Sequence, residues 1–165
     1  MKVKLRKFIF NRKDFEDEIY CNQFNIYKTI KFKDKCLNIS NNRCRVKEKV
    51  KMNLNKLEGI VENFSINSFK VIDSLKEGRE ELLLIGEINL LVVAEYKFSN
   101  NKRFVIKKIS MPFTEKINIP KDICNLSTIN LEYDITDLSL VKLCENKALV
   151  SITSLIKYRD LYILD

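Results

Sequence analysis

The run from Leu82 to Phe98 constrains this chain more than any other feature. Its even positions are Leu82, Leu84, Gly86, Ile88, Leu90, Val92, Ala94, Tyr96 and Phe98, all apolar or glycine. The odd positions around it mix Glu81, Glu87, Asn89, Glu95 and Lys97 with Leu83, Ile85, Leu91 and Val93. Successive side chains of an extended chain point to opposite faces, so this alternation predicts a long strand with one face in the core. The apolar odd residues predict that the middle of the other face is covered too. A helix over EINLLVVAEY is disfavoured by its β-branched residues and by the length of the alternation.

Ser99-Asn100-Asn101-Lys102 then reads as a hairpin turn. The returning strand opens with Phe104 and Ile106 on even positions and continues with Ile109, Met111, Phe113, Ile117 and Ile119 on odd ones. A change of phase inside one strand predicts a bulge or bend, because a one-residue slip turns every side chain over. Pro112 follows directly. It cannot donate to a ladder and belongs at an edge, a bend or a bulge. The expected element is a bent hairpin from Ile85 to Pro120, able to pass between two sheets. Tyr96, Phe98, Phe104 and Phe113 are expected in its core.

Shorter alternations flank it. Lys2, Lys4 and Arg6 oppose Val3 and Leu5, and Lys47, Lys49 and Lys51 oppose Val50 and Met52. Ile26 to Phe32, Val61 to Ile72, Ile129 to Ile135 and Ala148 to Tyr158 supply further strand faces. Asn38 to Asn42, Gly78 and Glu145-Asn146-Lys147 read as turns, and Asn53 to Glu58 as a break. The sum is a mainly β fold, an antiparallel β-sandwich or partly closed barrel with long hairpins. Residues 1–52 read as a basic, strand-rich segment, either packed on the main sheet or a separate unit, and 53–165 as the main β domain.

The charge divides in the same place. Residues 1–51 hold 15 Lys/Arg against 6 Asp/Glu, a balance of +9, while the whole chain carries +8. The long hairpin is therefore close to neutral. Electrostatic docking falls to the N-terminal third, with Lys2, Lys4, Arg6, Lys7, Arg12 and Lys13 as the candidate partner-binding residues. An acidic protein partner, an anionic surface or nucleic acid would each answer such a patch. Nucleic acid is the less favoured, since aromatic stacking platforms are few: only Phe8, Phe10, Tyr27 and Phe32 are interleaved with Lys/Arg.

With no histidine in the chain, Ser-His-Asp and Cys-His nucleophile pairs are excluded. Three scattered glycines build no phosphate-cradling loop. No catalytic, cofactor-binding or metal-binding residue is assigned, and an enzyme is not expected. The five cysteines form no C-x-x-C pair. Being odd in number, they do not make a fully paired framework. Cys21, Cys36 and Cys44, in the less core-like part of the chain, are the candidates for cross-linking into an assembly. No apolar run reaches the length of a membrane-spanning helix, and the N-terminus lacks the apolar stretch of a secretory signal.

One family pattern is present. Ile85-Gly86-Glu87-Ile88 leads to Ala94-Glu95-Tyr96, followed by a polar turn, Met111-Pro112-Phe113-Thr114, and Ile117-Asn118-Ile119-Pro120. This spacing resembles the SPOCS domain of spore-coat and spore-morphogenesis proteins in endospore-forming bacteria, over roughly Cys44 to Tyr158. The resemblance implies a non-enzymatic domain that builds the spore envelope through protein–protein contacts. Its partners would be other coat or morphogenesis proteins, or further copies of itself. It implies synthesis in the mother-cell cytoplasm and residence in the spore coat, and it carries no catalytic residues over.

Overall fold

The Leu82–Phe98 alternation becomes the central strand of a three-stranded sheet. The computed structural model describes residues 2–9, 20–40, 47–73, 78–121 and 128–159. Among these are nine strands and no helix: β1 (Lys2–Lys7), β2 (Cys21–Lys31), β3 (Cys36–Ser40), β4 (Lys47–Lys51), β5 (Asn53–Asp73), β6 (Arg79–Phe98), β7 (Asn101–Pro120), β8 (Thr128–Cys144) and β9 (Lys147–Tyr158). One sheet runs β5-β6-β7, a second runs β1-β8-β9-β2, and β3-β4 is a separate hairpin. All pairings are antiparallel except β1 with β8. The mainly antiparallel β fold with long hairpins is thus present, and the first 52 residues supply two of the four strands of the second sheet.

The two large sheets face one another across a shared apolar layer. Every even position of β6 from Leu82 to Tyr96 is buried, and so are Ile109, Met111, Phe113, Ile117 and Ile119 of β7. They meet Ile129 and Leu131 of β8, Ala148, Val150, Ile152 and Ile156 of β9, and Phe24 and Ile30 of β2 in one cluster. Each fully buried Val, Leu, Ile, Phe or Met among them stabilises the fold by about 1.5–3 kcal/mol. The layers are pinned at both sides. On one, Phe24 packs on Phe113 with ring centres 5.0 Å apart; on the other, Phe64 stacks on Tyr133 at 4.3 Å. Lys28 lies on the core-facing side of β2, yet its stem carries the ammonium out to donate to the Ser110 carbonyl at 2.6 Å.

The expected bulge before Pro112 is absent. β6 and β7 pair in unbroken register from Arg79↔Pro120 to Phe98↔Asn101. The phase change has a different cause. Phe104 and Ile106 stand on the outer face of the sheet, 63% and 68% exposed, while the odd residues from Ile109 onward face the core. Phe104 is therefore not a core residue, whereas Tyr96 and Phe113 are buried and Phe98 packs at the core's margin. Pro112 sits on a strand with one unpaired edge, where a missing N–H is tolerated.

The irregularities lie elsewhere. Register shifts interrupt β5 at Leu54/Lys56, Val61/Asn63 and Ile66/Ser68, and β8 at Ile135/Asp137 and Lys142/Cys144. The polar stretch Asn53 to Glu58 is thus no break in strand structure but the bulged start of β5. Asn38 to Ser40 likewise belong to β3, where Leu37 and Ile39 are partly buried and their neighbours exposed. At the β6–β7 turn Ser99 takes a positive φ of 52°, and Gly78 has φ 74° before β6. The predicted turns at Ser99–Asn100 and Glu145–Asn146 are in place.

Candidate functional site

The basic N-terminus is built into an outer strand. β1 is the outermost strand of its sheet and runs parallel to β8. Val3 and Leu5 pack against the core, so Lys2, Lys4 and Arg6 share the opposite face. None of these three makes an ion pair among the described residues. Lys7 points to the other side, toward Tyr133 and Asp137. Arg12, Lys13 and Cys44 lie outside the described residues.

Beside β1 is a groove of about 390 Å³, lined by Lys4, Leu5, Arg6, Asn130, Leu131, Glu132 and Arg159. Its only carboxylate among the lining residues, Glu132, is 3% exposed and already engaged. The Arg159 Nη1 donates to it at 2.7 Å, and Lys157 Nζ lies 3.7 Å away. Lys157 also stands over the Phe8 ring, 4.6 Å from its centre. The register sets Arg6 alongside Glu132 on the neighbouring strand. Three cations, Arg6, Lys157 and Arg159, therefore flank one buried acid, and Lys4, Arg6 and Arg159 line the groove. Such a site takes anionic groups, carboxylate or phosphate.

Lys157 and Arg159 carry no local sequence signal for this role. They reach β1 because β8 lies between, paired with β1 on one side and β9 on the other. The cysteines are redistributed as well. Cys36 is exposed at the start of β3, while Cys21 is half-buried on β2. Cys144, absent from the sequence-based candidates, is exposed at the end of β8, where its thiol donates to Asn146 Oδ1 at 3.2 Å. Its position beside the Glu145–Asn146 turn was the available signal.

A second cavity, about 380 Å³, opens where the bulges of β5 and β8 meet, between Glu62, Asn63, Phe64, Tyr133, Thr136 and Asp137. Burial, with help from the Asp134 charge, pushes the Tyr133 hydroxyl above its ordinary value, so it stays protonated there at neutral pH.

Two carboxylates tie segments together and set an acid limit. Asn55 Nδ2 donates to Glu95 at 2.5 Å and Lys102 Nζ donates at 3.3 Å, holding that carboxyl below its usual value. Glu145 accepts from Lys142 Nζ at 2.6 Å and from the Leu54 amide at 2.9 Å, with the same result. For both, the folded state binds protons less readily than the unfolded chain. Their contribution is complete above the ordinary value of 4.5 and is lost as pH falls through the folded pKa. Burial raises Glu115 instead, despite a hydrogen bond from Asn22, so that group acts in the opposite sense. In acid urea titrations the wild type should lose stability below about pH 4.5, and the Glu95→Gln/Glu145→Gln pair should flatten that loss. An unchanged slope in the pair would refute the assignment.

No helix among the described residues is long and apolar enough to cross a membrane. Compared with protein-family models, with curated proteins and with solved structures, the chain shows no match.

Proposed function

We propose that this chain is a non-enzymatic structural protein of the bacterial spore coat or envelope, which docks acidic protein partners along β1. The observation that carries the reading is the row Lys2, Lys4 and Arg6, without an ion-pair partner among the described residues, on one face of an outermost strand and bordered by a cationic groove. The SPOCS-like spacing supplies the cellular setting. An extended partner segment adding to β1 would gain main-chain hydrogen bonds, and its alternate side chains would fall beside the cations. Acidic residues at those positions would be selected, whereas a second copy of β1 would set like charges side by side. Docking of this kind needs no catalytic group.

Fluorescent tagging in sporulating cells should show the protein appearing with the coat and fractionating with it; expression confined to vegetative cells would end the reading. Binding is tested with an extended peptide of alternating glutamates. Lys4→Glu/Arg6→Glu should weaken it at least tenfold, with circular dichroism as the check on folding because Arg6 stands beside Glu132; Lys2→Glu/Lys4→Glu, away from that acid, should weaken it in the same sense. The affinity should fall as salt rises. A duplex oligonucleotide is the companion probe. Tighter binding of the duplex at equal ionic strength would favour nucleic-acid or anionic-surface binding instead.

A further inference from the structure

The outer face of β5-β6-β7 carries an apolar stripe that the basic strand does not use. Register places Ile60 of β5 beside Leu91 of β6, and Val93 of β6 beside Ile106 of β7, with Phe104 next along β7. Ile60 is 60% exposed, comparable to Phe104 and Ile106, and Leu91 and Val93 are half-buried between them. The stripe thus crosses all three strands on a diagonal. Its flanks differ in charge: Glu58, paired with Val93, lies on the β5 side, and Lys108, paired with Leu91, lies on the β7 side.

We infer that this face is a two-fold contact between copies of this chain. A two-fold axis lying along the stripe apposes the stripe to itself. It also carries each flank of one copy over the opposite flank of the other, so Glu58 faces Lys108 twice. Lys108 is exposed and makes no ion pair among the described residues. Glu58 pairs with Lys56 only in an exposed bridge, which holds it weakly and leaves it able to answer Lys108.

Three strands at about 4.8 Å spacing and about eight outward-facing rows at about 6.8 Å make a face of roughly 700 Å², near the ~800 Å² per partner of a stable interface. Its centre is apolar and aromatic and its rim charged, as in protein interfaces generally. The alternative of edge-to-edge pairing is opposed by three register shifts along β5 and by Pro112 on β7. The charges of this face are mixed in sign, which suits a self-complementary contact better than an anionic surface.

The test is sedimentation of the full chain across a concentration series, with circular dichroism as the check on folding. The wild type should form a closed dimer. Ile106→Glu should leave a folded monomer. Lys108→Glu, which sets acid against acid, should weaken the dimer about tenfold, and the swap Glu58→Lys/Lys108→Glu should restore it. A wild type that stays monomeric over the micromolar range, or open-ended polymers in place of a dimer, would overturn the inference. So would a swap that fails to recover what Lys108→Glu loses. Lys4→Glu/Arg6→Glu should dimerise normally, so failure of this contact and failure of docking along β1 are read separately.

Discussion

Replacing Phe113 by alanine is expected to destabilise the fold by about 3–5 kcal/mol, the range for deleting a buried aromatic ring. Phe113 is the hub between the sheets. Its ring lies 5.0 Å from Phe24 of the facing sheet and 5.1 Å from Phe64, which in turn stacks on Tyr133. Removing it opens a void at the point where β2, β5, β7 and β8 converge, and a close-packed interior relaxes into such a void only in part. In urea the midpoint should fall with little change in the slope. Phe104→Ala on the same strand is the control. That ring is mostly exposed in the single chain, so at concentrations below those at which copies associate its loss should cost about 0.5 kcal/mol or less. Reversed losses, with Phe104→Ala the costlier, would mean that β7 is out of register by one residue, with its faces exchanged.

Gly86→Ala should cost about 3 kcal/mol or more, although it adds a single methyl group. A Cβ on Gly86 would come within 2.3 Å of the Ser65 carbonyl oxygen and 2.6 Å of Phe113 Cζ. Gly86 pairs with Ile66 on one side and Phe113 on the other, next to the β5 register shift at Ile66/Ser68. The bulge brings the neighbouring backbone inward, and the Phe113 ring lies over the glycine, an arrangement in which the aromatic ring restores the surface that glycine lacks. A ring can turn aside, but a main-chain carbonyl inside a ladder cannot. Pairing Gly86→Ala with Phe113→Leu therefore should not recover the loss. Recovery to the level of Phe113→Leu alone would show that the ring is the sole obstacle and that the carbonyl yields.

Both residues stand in the Ile85–Pro120 spacing, Gly86 in its first strand and Phe113 after Pro112. Their packing accounts for that spacing as a structural requirement, since a glycine and a ring held opposite one another fix the register of β6 against β7. The pattern therefore reports on how the sheet is assembled. The surfaces proposed for partners lie elsewhere, on the outer face of β1 and on the outer face of β5-β6-β7.

Much of the fold was legible locally. The strand β6 and its buried face followed from alternation alone, because a strand half-buried against a facing sheet must repeat with period two. The turns followed from residues that accept unusual backbone angles, and in the structure Gly78 and Ser99 take positive φ. The β7 bulge was misread because apolar residues were equated with the core. Phe104 and Ile106 obey the strand's geometry but belong to its outer side, and sequence does not say which apolar residues a protein leaves uncovered. The true bulges, in β5 and β8, fall in polar stretches such as Asn53–Lys56 and Thr136–Asp137, where alternation is too weak to reveal a slip.

The candidate site divides in the same way. The sequence by itself determined that the N-terminal third is strongly basic and that Lys2, Lys4 and Arg6 alternate with Val3 and Leu5, which is enough to put the cations on one face of a strand. Only the tertiary structure decided that this strand lies at a sheet edge, parallel to β8, and that Lys157 and Arg159 join it around a buried Glu132. The physical reason is that alternation is a property of one strand, whereas the neighbours of a strand are set by pairing between segments more than a hundred residues apart along the chain.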